Sequence, residues 1–411
     1  MEGEVPEGGH PGTARGLPPP AGTGKRVSDD ILWIDNDEAL TRLCARLGAS
    51  PWLCLDTEFL RERTYRPQLC LIQIASADTI ACIDPLALES LEPLNALLRN
   101  PDITKVLHSA SQDLEIFAIR EGFVPAPVFD TQIAAALMGL GDQIGYGRLV
   151  EEMLGARLDK AHSRTDWTRR PLSRDQIEYA ADDVRWLREV YLKQREWLEQ
   201  RGRLDWLQQD FEALTDPARY RPDPEQAWLR VKGLQRLRPA QLAALRLLAA
   251  WREEEAVASD RPRRWILKDE VLIDLARRRP KTLAELSDIR GLEPRTVERH
   301  GKTLLRLLAE AANLPRDQWP VLPERRRLQP RQEAVIDLLM ASLRQSALEA
   351  EISPQAIAGR RDLERLVLGE RDLPLLRGWR RELVGERMLD LIEGRSALGI
   401  DEQGLVVVPR G

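Results

Sequence analysis

Hydrophobic positions in the first half of the chain fall into short runs. WLCLDTEFL (52–60), QLCLIQIA (68–75) and TIACID (79–84) are β-branched or apolar stretches separated by turn-length polar segments, the pattern of an antiparallel meander. A helix is predicted near 88–99, a strand at KVLH, a helix over 111–121, a strand at PVFD and helices onward. Strand–helix alternation after a meander predicts an α/β unit, a mixed sheet flanked by helices. After a turn-rich break around 215–226 (TDPARYRPDPEQ), strand signals vanish and helical periodicity in Leu, Ala, Arg and Glu takes over.

This second half repeats itself. Pro239, Gln241, Ala243, Leu247, Leu248 and Ala250 match Pro330, Gln332, Ala334, Leu338, Leu339 and Ala341, an offset of 91 that also pairs Ile266, Leu272 and Leu275 with Ile357, Leu363 and Leu366. The register predicts two copies of one helical domain joined by LPRDQWPVLPERRRLQP. Residues 1–27 are a Pro/Gly-rich leader with too little apolar content to fold, so disorder is expected there.

Composition narrows the class. With 411 residues the chain is long enough for two to three domains, and 43% hydrophobic with 31% charged residues describes a globular rather than a disordered chain. No apolar run approaches the ~20 residues of a membrane helix. The N-terminus lacks the basic start and apolar stretch of a secretory signal, so a cytoplasmic location is expected. Cys44, Cys54, Cys70 and Cys82 form no CxxC pair and sit in apolar runs, which predicts reduced core residues.

The net charge of −5 hides an asymmetry: residues 1–220 carry −11, residues 221–315 carry +6 and the remainder is neutral. An acidic first half followed by a basic module suits a carboxylate-rich site beside a nucleic-acid-binding appendage, although ordinary surface variation gives the same sums.

Three segments carry candidate chemistry. Asp56 and Glu58 stand two apart on a predicted strand, so both project from one face, either as a paired site or as a solvated strand edge. Asp113 opens the helix after KVLH, where an α/β sheet presents functional residues and where an acid also complements the helix dipole. In QIEYAADDVRWL, Tyr179 and Asp183 are four apart and share a helix face, while Asp182 is rotated roughly 100° away.

Taken in order, an acid pair on a strand, an acid after a later strand and a YxxxD helix resemble the DEDDy branch of the DEDD exonucleases. The wording DTEFLRERTYRPQLCLIQIA, LHSASQDLEIF, VFDTQIAAALMG and LDKAHSRTDWTRRPLSRDQIEYAADDVRWL is similar to bacterial ribonuclease D across roughly 30–215. The helical repeats resemble HRDC domains, the first closely through LQRLRPAQLAALRLLAAWREEEA and TLAELSDIRGLEPRTVERHG, the second more loosely. The resemblance implies an RNase H-like exonuclease domain over 28–215, one HRDC domain over 222–312 and a second HRDC-like domain over 324–405.

The same resemblance implies that Asp56, Glu58, Asp113 and Asp183 bind two divalent cations, Mg²⁺ or Mn²⁺, and that Tyr179 helps position the attacking water. The chemistry fits: carboxylate oxygens suit hard cations, and a cation pair ~4 Å apart activates water and stabilises the leaving 3′-oxygen. A phenol with a reference pKa of ~10 orients water rather than acting as a base. The implied reaction is 3′→5′ hydrolysis of RNA to 5′-mononucleotides, with tRNA precursors bearing 3′ trailers as the partner, no membrane and a monomeric protein. The helical modules are expected to form a ring or clamp over the site. Removing residues after 215 is then expected to weaken binding of tRNA-like substrates while sparing short oligonucleotides.

Weaker candidates for substrate contact are His108 at a strand end and Lys160, Arg164 and Trp167 in KAHSRTDWTRR, a basic run with one aromatic that Arg169 and Arg170 extend. A surface connecting segment explains that run equally well. GLEPRTVERHG and the Arg runs at 277–279 and 325–327 read either as phosphate contacts or as helix turns and solvated faces. The rival functions are a 3′→5′ DNA exonuclease of proofreading or Werner type, which uses the same acids, and a catalytically silent RNA-binding scaffold, against which the intact acids argue.

Overall fold

The computed structural model of the protein describes residues 31–158, 165–322, 328–402 and 404–410. The leader at 1–27, Lys160, Arg164 and the 325–327 Arg run lie outside the described residues. A six-stranded mixed sheet forms from β1 (Ile31–Ile34), β2 (Trp52–Leu60), β3 (Gln68–Ala75), β4 (Ile80–Ile83), β5 (Thr104–Leu107) and β6 (Val128–Asp130), in the order β1-β4-β3-β2-β5-β6. The antiparallel meander β2-β3-β4 is as the hydrophobic runs predict, and β5 and β6 add in parallel beside β2. Strand β1, parallel to β4 at the edge, had no predicted counterpart.

Each sheet face is covered by helices. Leu53, Leu55, Ile72, Ile74 and Ile83 face α1 (Asp37–Leu47), α2 (Glu92–Arg99) and α3 (Ser111–Arg120). Trp52, Cys54, Cys82 and Val106 face the layer formed by α4 (Thr131–Leu137), α5 (Tyr146–Leu154) and α6 (Arg174–Gln200). The helix expected near 88–99 starts only at Glu92, where Pro93 fits the first turn. All four cysteines are buried and free. A short helix, α7 (Gln208–Thr215), closes this unit, and Leu214 and Tyr220 still pack into its core, so the apolar unit runs past the break expected at 215.

The second half is helical as predicted through α8 (Pro239–Ala258), α9 (Arg263–Ile266), α10 (Asp269–Arg278), α11 (Leu283–Ser287) and α12 (Pro294–Asn313). The next three helices, α13 (Pro330–Glu349), α14 (Pro354–Ile357) and α15 (Arg360–Val367), each begin 91 residues after α8, α9 and α10. The offset in the sequence is thus an offset in the structure. The match loosens afterwards, through α16 (Gly378–Arg380) and α17 (Glu386–Ile392). The expectation that strands end at 226 is corrected by an antiparallel hairpin, β7 (Ser396–Asp401) with β8 (Gly404–Pro409), whose Val406–Val408 run favours extended backbone.

The two helical modules attach differently. The first has its own core, including Trp228, Leu245, Leu272 and Leu304, and meets the sheet unit through polar contacts. There Tyr65 donates to Glu253, which also receives Arg263, and Arg66 N donates to Asp260 at 2.9 Å. The second shares one continuous core with α6 and its neighbours, from Val184 and Leu187 to Ile336, Leu363 and Trp379. Trp206 and Trp379 stack with centroids 4.4 Å apart, Arg380 Nη2 donates to both carboxylate oxygens of Asp210 at 2.8 and 3.0 Å, and Ser353 N donates to Ala136 O at 2.8 Å. Gly139 (φ +73°) permits this approach, because a side chain there would meet the Glu351 carbonyl.

Candidate active site

Alternation along β2 puts Asp56 and Glu58 on the face covered by α6, and a register shift directly after Glu58 interrupts the ladder with β3 before it resumes at Phe59. Helix α6 supplies the third acid. Its start is fixed by a capping box in which Gln176 N donates to Ser173 Oγ (3.2 Å) and Ser173 N donates to Gln176 Oε1 (2.7 Å). The small residues Ala180 and Ala181 let the helix lie close to the sheet. Asp56, Glu58 and Asp183 each place a carboxylate oxygen within 4.8 Å of the other two. Asp182 turns away, as the helical period predicts, and pairs with Arg185.

Asp113 lies at the start of α3, buried, and accepts from Thr57 Oγ1 at 2.5 Å. It stands outside the three-acid group yet close enough to raise the carboxyls of both Asp56 and Glu58. Burial first and mutual repulsion second push Glu58 up to about 8 and hold Asp56 well above the carboxylate range. Burial chiefly raises Asp183 to about 7 and Asp113 to about 6. Such a group favours a counter-charge, and an all-oxygen carboxylate set is the donor chemistry of Mg²⁺ and Mn²⁺. The residues present therefore fit divalent cations.

Two supporting groups were not singled out from the sequence. Asp130 is buried at the end of β6, caps α4 and accepts from Ser109 N (3.0 Å), Ala110 N (2.9 Å) and Gln132 N (2.8 Å). It thereby holds Ser109 at φ +59° and fixes where α3, and so Asp113, begins. Tyr146 donates to Asp183 O at 2.6 Å, and its ring lies 5.4 Å from that of His108. An acid ending a strand before a helix is a recognisable cap in sequence; a tyrosine reaching 37 residues along the chain gives no local signal. Gln73, opposite Asp56 in the ladder, is fully buried with neither amide atom hydrogen-bonded.

The weaker candidates divide. His108 has both ring nitrogens engaged within the protein, at 3.0 Å to Thr131 Oγ1 and 3.1 Å to Ile144 O, so it braces the strand end instead of presenting a ring nitrogen. Trp167 is buried and stacks on Tyr179 with centroids 6.3 Å apart, so its ring supports the tyrosine and is not open to a base. Arg170 is committed to Asp84 through two bonds of 2.5 and 2.7 Å and to the Cys70 and Trp167 carbonyls. Arg169 pairs with Asp166.

This site stands in a recognisable lineage. Residues 31–199 match the 3′–5′ exonuclease family and residues 241–308 match the HRDC domain. Ribonuclease D of Granulibacter bethesdensis is 42% identical over 387 residues, covering 92% of this chain and 96% of its own. Ribonuclease D of Gluconacetobacter diazotrophicus is 43% identical over 397 residues, covering 95% of this chain and all of its own. The chain belongs to the ribonuclease D family. The crystal structure of Escherichia coli RNase D, described as an exoribonuclease involved in structured RNA processing, superposes with a TM-score of 0.79 at 37% identity, over 89% of this chain and 99% of that one. Membership makes the protein a metal-dependent 3′–5′ exoribonuclease with an RNase H-like exonuclease fold and an HRDC domain. Among the described residues no helix is long and apolar enough to cross a membrane.

Proposed function

We propose that Asp56, Glu58 and Asp183, with Asp113 beside them, hold two divalent cations, Mg²⁺ or Mn²⁺, at the 3′ end of an RNA strand. The gathering of three carboxylates within 4.8 Å carries this reading. When bound, the cations supply Lewis-acid activation of water and charge neutralisation at the leaving oxygen. The chain's own residues do the rest. Asp56 and Glu58 approach from β2 and Asp183 from α6, so cation positions are set by two rigid elements. Thr57 orients Asp113 from the intervening strand position.

The Tyr179 phenol, one helical turn before Asp183 and backed by Trp167, orients the attacking water by hydrogen bonding. Water oxygen attacks the terminal phosphorus, the P–O3′ bond breaks, a 5′-mononucleotide leaves, and the shortened strand's 3′-oxygen takes a proton. Two features support tRNA precursors with 3′ trailers as substrates: the RNase D kinship and the basic helical half. We assign 28–215 to the exonuclease, 222–312 to the first HRDC domain and 324–405 to a second HRDC-like domain, on the strength of the 91-residue register of α13–α15. A clamp of the two modules over the site, a monomeric state and a cytoplasmic location complete the proposal.

The test is a 5′-labelled tRNA precursor with a short 3′ trailer, incubated with protein and Mg²⁺ or Mn²⁺ beside a 3′-blocked RNA, a matched DNA and the Asp183→Ala variant. Stepwise shortening from a free 3′-OH, lost with the block and with the variant, is expected. RNA that binds but stays full length with either metal would overturn the assignment of the acids.

A further inference from the structure

The edge of the catalytic unit opens onto a cleft that the mechanism above does not use. A cavity of about 500 Å³ lies between the end of β2, α3, the segment 219–222 and the first helical module. Six arginines line it, Arg61, Arg219, Arg221, Arg230, Arg263 and Arg264, against one carboxylate, Glu115, which Arg61 already neutralises at 2.6 Å. The cleft touches the catalytic elements directly: Glu115 is two residues beyond Asp113 on α3, Arg61 three beyond Glu58, and Arg219 donates to Ser111 Oγ at 3.2 Å. Three residues of extended chain reach at most about 11 Å, so Arg61 stands close to the acidic group.

A second cavity of about 680 Å³ continues from the first, sharing Arg230, Arg263 and Arg264 and adding Lys232, Lys268 and Trp265. Its acids are largely spent: Glu253 pairs with Arg263 and Asp269 with Arg252, which leaves Glu270 at the rim. Among the described residues Arg221, Arg230, Lys232, Arg264 and Lys268 have no ion pair, and Trp265 is 47% exposed, an unusual state for an indole.

The internal repeat shows that the helical fold itself does not require Arg264 or Trp265, whereas Arg263 also holds the seam to Glu253 and Tyr65. Ninety-one residues on, α14 has Pro354, Gln355 and Ala356 where α9 has Arg263, Arg264 and Trp265, while the buried Ile266 and Ile357 correspond. One backbone thus occurs twice, with a cationic aromatic surface only in the copy that flanks the catalytic cleft.

We propose that the two cavities form a track for the single-stranded RNA backbone 5′ of the scissile bond, with the guanidiniums on phosphates and Trp265 as a stacking platform for a base. Arginine matches phosphate geometry, and an exposed indole amid cations is the surface on which unpaired bases stack. The inference rests on the exonuclease reading and extends it to how the strand is held.

The test uses the full chain with Arg264→Gln and Trp265→Ala combined, the residues the second copy itself carries, and Arg361→Gln on α15 as a control of equal charge change. Fluorescence anisotropy with a labelled 12-nucleotide single-stranded RNA in EDTA reads binding without cleavage. The double variant is expected to raise Kd about tenfold or more, since stacking alone is worth ~1–3 kcal/mol per base, and to flatten the salt dependence by about 0.7 for the lost phosphate contact. With Mg²⁺, the ratio of kcat/KM on the 12-mer to that on a dinucleotide is expected to fall at least tenfold for the double variant and not for Arg361→Gln. Equal Kd for wild type and double variant would overturn the track. So would loss of 5′-AMP binding by calorimetry with RNA affinity retained, which would make the cleft a small-anion site. If wild type shortens no RNA with Mg²⁺ while the EDTA result stands, it is the exonuclease reading that fails.

Discussion

Asp56, Glu58, Asp113 and Asp183 converge on a place where burial makes each harder to ionise and the neighbouring acids add to this at Asp56 and Glu58, and the cost of that convergence is readable in pH. Free carboxyls titrate near 4. Burial and repulsion raise Asp113 to about 6, Asp183 to about 7 and Glu58 to about 8. Without divalent cations the folded protein therefore binds more protons than the unfolded chain between about pH 4 and 8, and stability falls as pH rises through that window. The melting temperature in EDTA is expected to drop from pH 6 to pH 8, and saturating Mg²⁺ is expected to remove the drop, because cations replace the protons. Asp183→Asn should raise the EDTA melting temperature at pH 8 and lower exonuclease turnover about a thousandfold. A melting temperature that rises with pH in EDTA would contradict the raised carboxyls. At this scale the sequence was informative for Asp56, Glu58 and Asp183, whose spacings of two on a strand and four from Tyr179 on a helix translate directly into shared faces. It left the run around Trp167 and Arg170 open, because composition does not tell a basic aromatic run that meets substrate from one that folds back onto Tyr179 and Asp84, as these two side chains do.

Among the elements, the junction of β5, α3 and β6 matters most for placing an acid it does not itself display on the sheet. Asp130 satisfies three backbone N–H groups, two of them in the turn that launches α3. Asp130→Ala removes a helix cap, worth ~1 kcal/mol, and orphans the turn's N–H groups, each worth ~1–3 kcal/mol when buried. A loss of about 3 kcal/mol in urea unfolding is expected, with at least a tenfold fall in kcat as Asp113 loses its setting; Asp130→Asn, which keeps one acceptor oxygen, should fall between. Unchanged stability would remove Asp130 from this role. Long periodic elements were legible from hydrophobic pattern alone, as the 91-residue register of α8–α10 and α13–α15 shows. Short ones were legible where they alternate with helices, as β4, β5 and β6 do, but β1 outside that alternation was not, and β7–β8 sits behind a helical half whose composition drowns a brief alternation.

For the molecule as a whole, the two helical modules are not equivalent attachments, whatever their common pattern. The second shares an uninterrupted apolar core with α6, with Trp379 stacked on Trp206 and donating to its carbonyl at 2.9 Å, and Arg380 clamped on Asp210. The first keeps a core of its own and touches the sheet unit through Tyr65, Arg66, Glu253 and Arg263. Cutting the chain after 215 would therefore strip apolar cover from Trp206 and Phe211 as well as remove substrate contacts, so that truncation does not isolate a clamp from the catalytic unit. A point change does so more cleanly. Trp379→Ala removes a buried indole, a loss of roughly 3–5 kcal/mol in a packed core. If the shared core couples the second module to the sheet, scanning calorimetry should show one transition for both in the wild type and an earlier, separate transition in the variant. Glu253→Gln at the first module's polar seam should leave that shared transition in place and move only the transition of the first module. A Trp379→Ala protein that still melts its sheet and second module together, merely at lower temperature, would mean that Arg380–Asp210 and the Ser353–Ala136 bond hold the interface without the indole.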